Sequence, residues 1–187
     1  MLTMIGLSGS LRQGSFNSSL LRAAAELVPE GVELRIATIR GIPLYDGDIE
    51  ASEGIPAPVA ALKDGIAAAD ALLLATPEYN NSIPGVMKNA VDWLSRPASD
   101  IRRVFGGKPV ALIGASPGGF GTILSQNAWL PVLRTLGAQH WSQGRLLVSR
   151  AGSVFDAGGT LTDPKVRDAL RIFLAGYAEF VERTRRR

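Results

Sequence analysis

Apolar runs alternate with helix-spaced apolar positions along the whole chain. Residues 2–7 read as a short strand, and an amphipathic helix follows over about 17–28, closed by Pro29-Glu30-Gly31. Residues 32–36 read as a second strand. Residues 39–55 carry Gly41, Pro43, Gly47 and Gly54 without a clear period, which predicts a loop before a helix over about 58–69. Residues 71–76 are continuously apolar up to Pro77, as expected of a strand buried on both faces. Pro84 suits a first helical position, and Met87, Ala90, Val91 and Leu94 recur at helix spacing until Pro97. The basic, glycine-containing residues 101–108 read as a surface turn. A buried strand over 110–114, a helix over about 122–136 bent at Pro131, and a fifth strand over 145–148 follow. Asp163 and Pro164 open a final helix, with Val166, Leu170, Phe173, Leu174, Tyr177 and Val181 on one face.

Five strands alternating with helices predict one α/β domain built on a doubly wound parallel sheet, with no repeat or linker. Composition changes this picture little. Of the 187 residues, 46% are hydrophobic and 20% charged, an ordinary globular balance. The absence of cysteine excludes disulfides, thiolate nucleophiles and sulfur-held metals and fits a reducing compartment. No apolar run reaches membrane-spanning length and no cleavable leader is evident, so the expectation is a cytoplasmic protein with no membrane partner. The formal charge is +3, but the four arginines of the terminal Arg183-Thr184-Arg185-Arg186-Arg187 leave −1 on the body when set aside. The run reads as a solvated basic tail over 183–187, and no nucleic-acid footprint remains.

Ligands of doubly wound sheets bind outside the carboxyl ends of the strands. Three loops leave those ends and look unlike plain connectors. Residues 8–17 hold small, hydroxyl and glycine residues with one arginine, just before a helix N-terminus, where free N–H groups and the helix dipole favour a phosphate. Ser10, Ser15 and Asn17 add hydrogen bonds, and Arg12 a charge-assisted one. Neither GxxxxGK[ST] nor GxGxxG is present, and the same residues would also suit a capped βα turn. The second loop, Pro77-Glu78-Tyr79-Asn80-Asn81-Ser82-Ile83-Pro84-Gly85, offers a ring-lining Tyr79, although Asn80 and Asn81 equally suit a tight turn. The third, residues 115–121, has three glycines in four residues, which let backbone approach a planar ligand. Phosphate donors beside ring-lining groups suit a mononucleotide with a planar ring system, such as a flavin mononucleotide. Other machinery is sparse. His140, the only histidine, reads as structural beside Trp141, Glu78 as a hydrogen-bonding residue or a general base, and no GxSxG elbow or HExxH is present. A cofactor that carries the chemistry would account for this.

At these residues the chain resembles the NAD(P)H-dependent FMN reductase family, with its quinone, chromate and azo-dye reductase members. Gly9-Ser10-Leu11-Arg12-Gln13-Gly14-Ser15-Phe16-Asn17 looks like its GSLRxxSxN phosphate loop. Pro77-Glu78-Tyr79-Asn80 with Ser82, Pro84-Gly85, Lys88-Asn89-Ala90, Asp92 and Trp93 is similar to its PEYN-x-S-x-PG-x-x-KNA-x-D-W signature, and Ala115-Ser116-Pro117-Gly118 to its third flavin loop. The chain departs from the family at Phe155-Asp156-Ala157-Gly158-Gly159, where an acidic residue near Gly158 is expected. The resemblance implies a flavodoxin-like, five-stranded parallel sheet of order 2-1-3-4-5 with helices on both faces. It implies FMN as cofactor, held at its phosphate by Ser10, Arg12, Ser15 and Asn17, with Phe16 also among the cofactor-binding residues. Pro77, Glu78, Tyr79 and Asn80 would edge the ring, and Ser116, Gly118 and Gly119 would complete the site.

The function expected is transfer of reducing equivalents from NADPH or NADH through bound FMN to quinones, or to chromate, azo compounds or free flavin, by a ping-pong scheme. An electron-transfer flavoprotein without pyridine-nucleotide activity is the alternative, although such carriers are often strongly acidic and this body is near neutral. The resemblance further implies a homodimer or homotetramer. In line with that, the helix over 84–94 turns Met87, Val91 and Leu94 one way and Trp93 another, which suggests an apolar face for a partner.

Overall fold

The computed structural model of the protein describes residues 1–185. In chain order its elements are β1 (Leu2–Ser8), α1 (Phe16–Leu27), β2 (Val32–Ala37), α2 (Gly47–Glu53), α3 (Ala57–Ala68), β3 (Ala71–Ala75), α4 (Gly85–Leu94), α5 (Ile101–Val104), β4 (Pro109–Ala115), α6 (Ile123–Thr135), β5 (Gln139–His140), β6 (Leu146–Val148) and α7 (Pro164–Arg185). Every strand pairing is parallel and the order is β2-β1-β3-β4-β5, as expected. The fifth position differs from the single strand expected over 145–148. Two short strands share the outer edge of β4, with Gln139 opposite Pro109 and Leu146 opposite Ile113. Trp141 causes the break: its indole turns into the core, and at Gly144 an added Cβ would lie only 2.2 Å from the ring.

Alternation along the strands sorts their side chains onto two faces. Leu73, Ala71 and Ala75 of β3 pack with α1 and α7, while Leu72 and Leu74 join α3, α4 and α6 around Trp93 and Trp129. Each such fully buried leucine contributes about 1.5–3 kcal/mol. Asp163 caps α7 through Val166 N–H (3.0 Å). The buried Tyr177 hydroxyl then lies 3.0 Å from the Leu72 carbonyl and 2.9 Å from that of Pro109, fixing α7 across β3 and β4. Burial pushes that phenol's pKa up, so it stays a neutral hydrogen-bonding group.

Four further expectations are corrected. Residues 39–55 are not all loop. Asp46 accepts from Asp48 N–H at 2.9 Å and starts α2, which has no fully buried side chain and so no apolar period to reveal it. The stretch before it is strapped onto α4: Tyr45 N–H donates to Asn89 Oδ1 (2.8 Å), while Asn89 Nδ2 (2.8 Å) and Trp93 Nε1 (3.0 Å) donate to the Pro43 carbonyl. Trp93 is therefore fully covered by its own chain, and its direction on α4 gives no free face to a partner. Residues 101–108 are not a plain surface turn, because Val104 and Phe105 are buried in the face packed by α3 and α4. The basic run starts inside α7, where Arg185 Nε lies 3.3 Å from Asp70 Oδ1; Arg186 and Arg187 lie outside the described residues.

Candidate functional site

β1 and β3 end level, Ser8 beside Ala75, and β4 runs on from Ile113, the partner of Ala75, to Ala115. The three loops that follow enclose a cavity of about 460 Å³. Ser10, Arg12, Ser15, Phe16, Asn17, Pro77, Glu78, Tyr79 and Ser116 all line it, together with Ala115 and Pro117. Asn80, Gly118 and Gly119 are not among its lining residues. Ala115 and Pro117 were missed because their contribution comes from where the backbone of β4 ends, which residue type does not signal.

In the first loop the backbone itself is the donor. Ser15 is the N-cap of α1 and its hydroxyl accepts from Ser18 N–H (3.3 Å). The N–H groups of Ser15, Phe16 and Asn17 have no acceptor among the described residues, and they stand where the dipole of α1 is positive. Asn17 plays a part different from direct ligation. Its buried amide donates to the Ala115 carbonyl and accepts from Ala115 N–H, both at 2.9 Å. Thr76 N–H still bonds the Ile113 carbonyl (2.9 Å), and past it β3 leaves the sheet. Asn17 then stands in for the missing strand and ties the first loop to the third. Arg12 lies at the exposed rim; its Nη2 donates to the Gly14 carbonyl (2.8 Å) and its guanidinium carbon sits 5.9 Å from the Phe16 ring centroid.

The second loop is a tight turn. Tyr79 and Ser82 exchange backbone hydrogen bonds of 3.2 and 3.0 Å around Asn80 (φ 50°) and Asn81 (φ 62°), the two positive-φ positions a type I′ turn requires. Asn80 thus shapes the loop while Tyr79, about half exposed at 47%, stands at the cavity edge. Glu78 Oε2 accepts from Leu124 N–H (2.8 Å) and Ser125 N–H (3.1 Å), so this oxygen of the carboxylate caps α6. In the third loop the Ser116 hydroxyl donates to the Gly121 carbonyl, and the Gly118 carbonyl accepts from Arg150 N–H (2.8 Å). Gly114 is obligatory beneath it, since a Cβ there would lie 1.8 Å from Thr122 Oγ1. His140 lies half-buried on β5, outside the cavity, and burial lowers its pKa. No helix among the described residues is long and apolar enough to cross a membrane.

A doubly wound sheet whose strand-end loops enclose a cavity beside a helix N-terminus is an architecture of flavodoxin type. The sequence profile of the NADPH-dependent FMN reductases matches residues 2–153, and the chain belongs to that family. It is 44% identical to an NAD(P)H-dependent FMN reductase of Pseudomonas aeruginosa, over 98% of this chain and 97% of the relative. It is 41% identical to a 2-hydroxy-1,4-benzoquinone reductase of a Burkholderia species, over 92% of each. Among solved structures, the flavoenzyme NAD(P)H:(acceptor) oxidoreductase FerB of Paracoccus denitrificans superposes with a TM-score of 0.87 at 34% identity, covering 98% of this chain and 99% of that one. The chain is therefore an FMN-dependent NAD(P)H oxidoreductase, and nothing in these likenesses favours a carrier without pyridine-nucleotide activity.

Proposed function

We propose that this protein reduces quinones with NADPH or NADH through FMN held in the 460 Å³ cavity, with chromate, azo compounds and free flavin as further acceptors. The observation that carries the reading is that one cavity joins two regions, the free N–H set of Ser15, Phe16 and Asn17 and the lining given by Tyr79 and Pro117. A phosphate at the first and a flat ring in the second fit that donor set and volume, which lies within the usual range of about 300–1,000 Å³ for such sites. Ser10, Arg12, Ser15 and Phe16 would hold the phosphate, and Asn17 would keep the loop in place. Pro77, Glu78, Tyr79 and Ser116 would border the ring, with Asn80, Gly118 and Gly119 shaping the backbone around it. FMN, when bound, supplies hydride acceptance from a nicotinamide and electron delivery to a second substrate.

The chain's own residues orient the cofactor and leave one side of the cavity open. Donor and acceptor would then use the same opening in turn, which predicts parallel double-reciprocal lines with NADPH and a benzoquinone. Intersecting lines, or reduction of no quinone in a panel that also holds chromate and an azo dye, would contradict this reading. The whole described chain acts as one domain in it, in the cytoplasm, as a homodimer or a pair of dimers. Support for assembly comes from the family resemblance and from Leu44 and Phe120, exposed at 81% and 82%. A monomeric mass by light scattering at micromolar concentration would refute the assembly.

A further inference from the structure

A second cavity, of about 400 Å³, opens on the other side of the first loop and shares Ser10 and Arg12 with the first. Arg12, Arg22 and Arg40 line it, and no carboxylate does. The guanidiniums of Arg35, Arg96, Arg103 and Arg171 are each paired with an Asp or Glu. Those in the groove meet only neutral oxygens: Arg12 the Gly14 carbonyl, Arg22 the Ser19 hydroxyl and Arg40 the Leu11 carbonyl. Each uses one of its five N–H donors there and keeps the rest for a ligand. With Arg12 given to the cofactor's phosphate, Arg22 and Arg40 remain as unneutralised cations in one concavity and focus the field on an anion. Leu11 and Ile36, exposed at 36% and 47%, add apolar surface to the same lining, suited to a flat base.

We propose that this groove binds the adenosine 2′-phosphate end of NADPH, and so makes the protein select NADPH over NADH. The inference rests on the flavin reading above: a nicotinamide placed in the first cavity leaves the other half of the dinucleotide to run over a neighbouring surface. The contiguous groove through Ser10 and Arg12 offers both the charge and the apolar surface that half requires. A phosphomonoester carries a charge of about −1.5 to −2 and three strong acceptor oxygens, which Arg22 and Arg40 can engage with paired N–H donors.

The test uses the FMN-loaded protein and needs no turnover for its first arm. Calorimetric titration with 2′,5′-ADP should show one site, at least about tenfold tighter than 5′-AMP, with affinity falling as salt rises. Arg40→Ala and Arg22→Gln should each weaken 2′,5′-ADP about tenfold, and Arg40→Lys should restore part of the loss. The ratio of kcat/KM for NADPH to that for NADH should fall in step. Equal binding of 2′,5′-ADP and 5′-AMP would overturn the proposal, as would competition by inorganic phosphate as strong as by 2′,5′-ADP. Loss of FMN affinity in Arg40→Ala, equal to the loss for 2′,5′-ADP, would also overturn it, because Arg40 would then act only by holding Leu11. A protein that fails to bind FMN but binds 2′,5′-ADP would refute the flavin reading and leave the groove standing.

Discussion

At the scale of single residues the first loop divides its work between backbone and side chains. Arg12 reaches the cavity from the exposed rim, so its bond to a phosphate is partly screened and lies toward the low end of the roughly 1.5–3 kcal/mol of charged hydrogen bonds. Arg12→Ala is predicted to lower FMN affinity about tenfold and to leave riboflavin, which lacks the phosphate, almost unchanged. Equal losses for the two flavins in a fluorescence titration would assign Arg12 to folding instead. Asn17 has the opposite profile. Asn17→Ala would orphan both backbone groups of Ala115, each at about 1–3 kcal/mol, so a lower midpoint of urea unfolding is expected. A variant that unfolds like the wild type would show that the Asn17 bridge is dispensable. The donor-rich character of this loop was legible in its serines, its arginine and the N-cap before α1. That Asn17 bridges to β4, and that Glu78 caps α6, was not legible, because both bonds join residues at least 46 positions apart.

At the scale of elements, long apolar or amphipathic segments announced themselves and short or uncovered ones did not. β3 and β4 were visible as unbroken apolar runs because both of their faces are buried. α2 has no fully buried side chain and is held by the strap on Asn89 and Trp93 and by the Glu50–Arg96 ion pair (2.7 Å), so its sequence looks like loop. β5 has two residues, too few for any period, and its separation from β6 follows from the inward turn of Trp141. The turn between α4 and β4 holds an ion pair that a sequence cannot show. Lys63, on α3 and only 2% exposed, reaches Asp100 at 2.6 Å, and its ammonium also donates to the Arg96 carbonyl. Hydrogen bonds from Lys63, then Arg103, hold the Asp100 carboxyl below its usual range. A depressed carboxyl stabilises the fold above its unfolded value, near 4, and that stability is lost as pH falls through the lower folded value. Asp100→Asn is therefore predicted to be less stable at neutral pH and to show a flatter acid limb below the ordinary carboxylate range, near 4. Superimposable stability curves for the two proteins across that range would contradict it.

At the scale of the whole molecule, one parallel sheet brings three loops to a common edge from segments up to about a hundred residues apart. The strand order places β1 between β2 and β3, so the first loop borders both the 460 Å³ cavity over β3 and β4 and the 400 Å³ groove beside β2. One helix N-terminus can thereby serve a cofactor on one side and a co-substrate on the other. Chemistry resides in the cofactor, which explains why a chain with one histidine and no cysteine belongs to a family of oxidoreductases. The measurement that bears most directly on this account is an anaerobic double-mixing experiment on the FMN-loaded protein. NADPH in the first mix should bleach the flavin's visible absorbance, and a benzoquinone in the second should restore it with one quinone reduced per flavin. A flavin that NADPH leaves coloured, or that stays bleached when the quinone is added, would contradict the account.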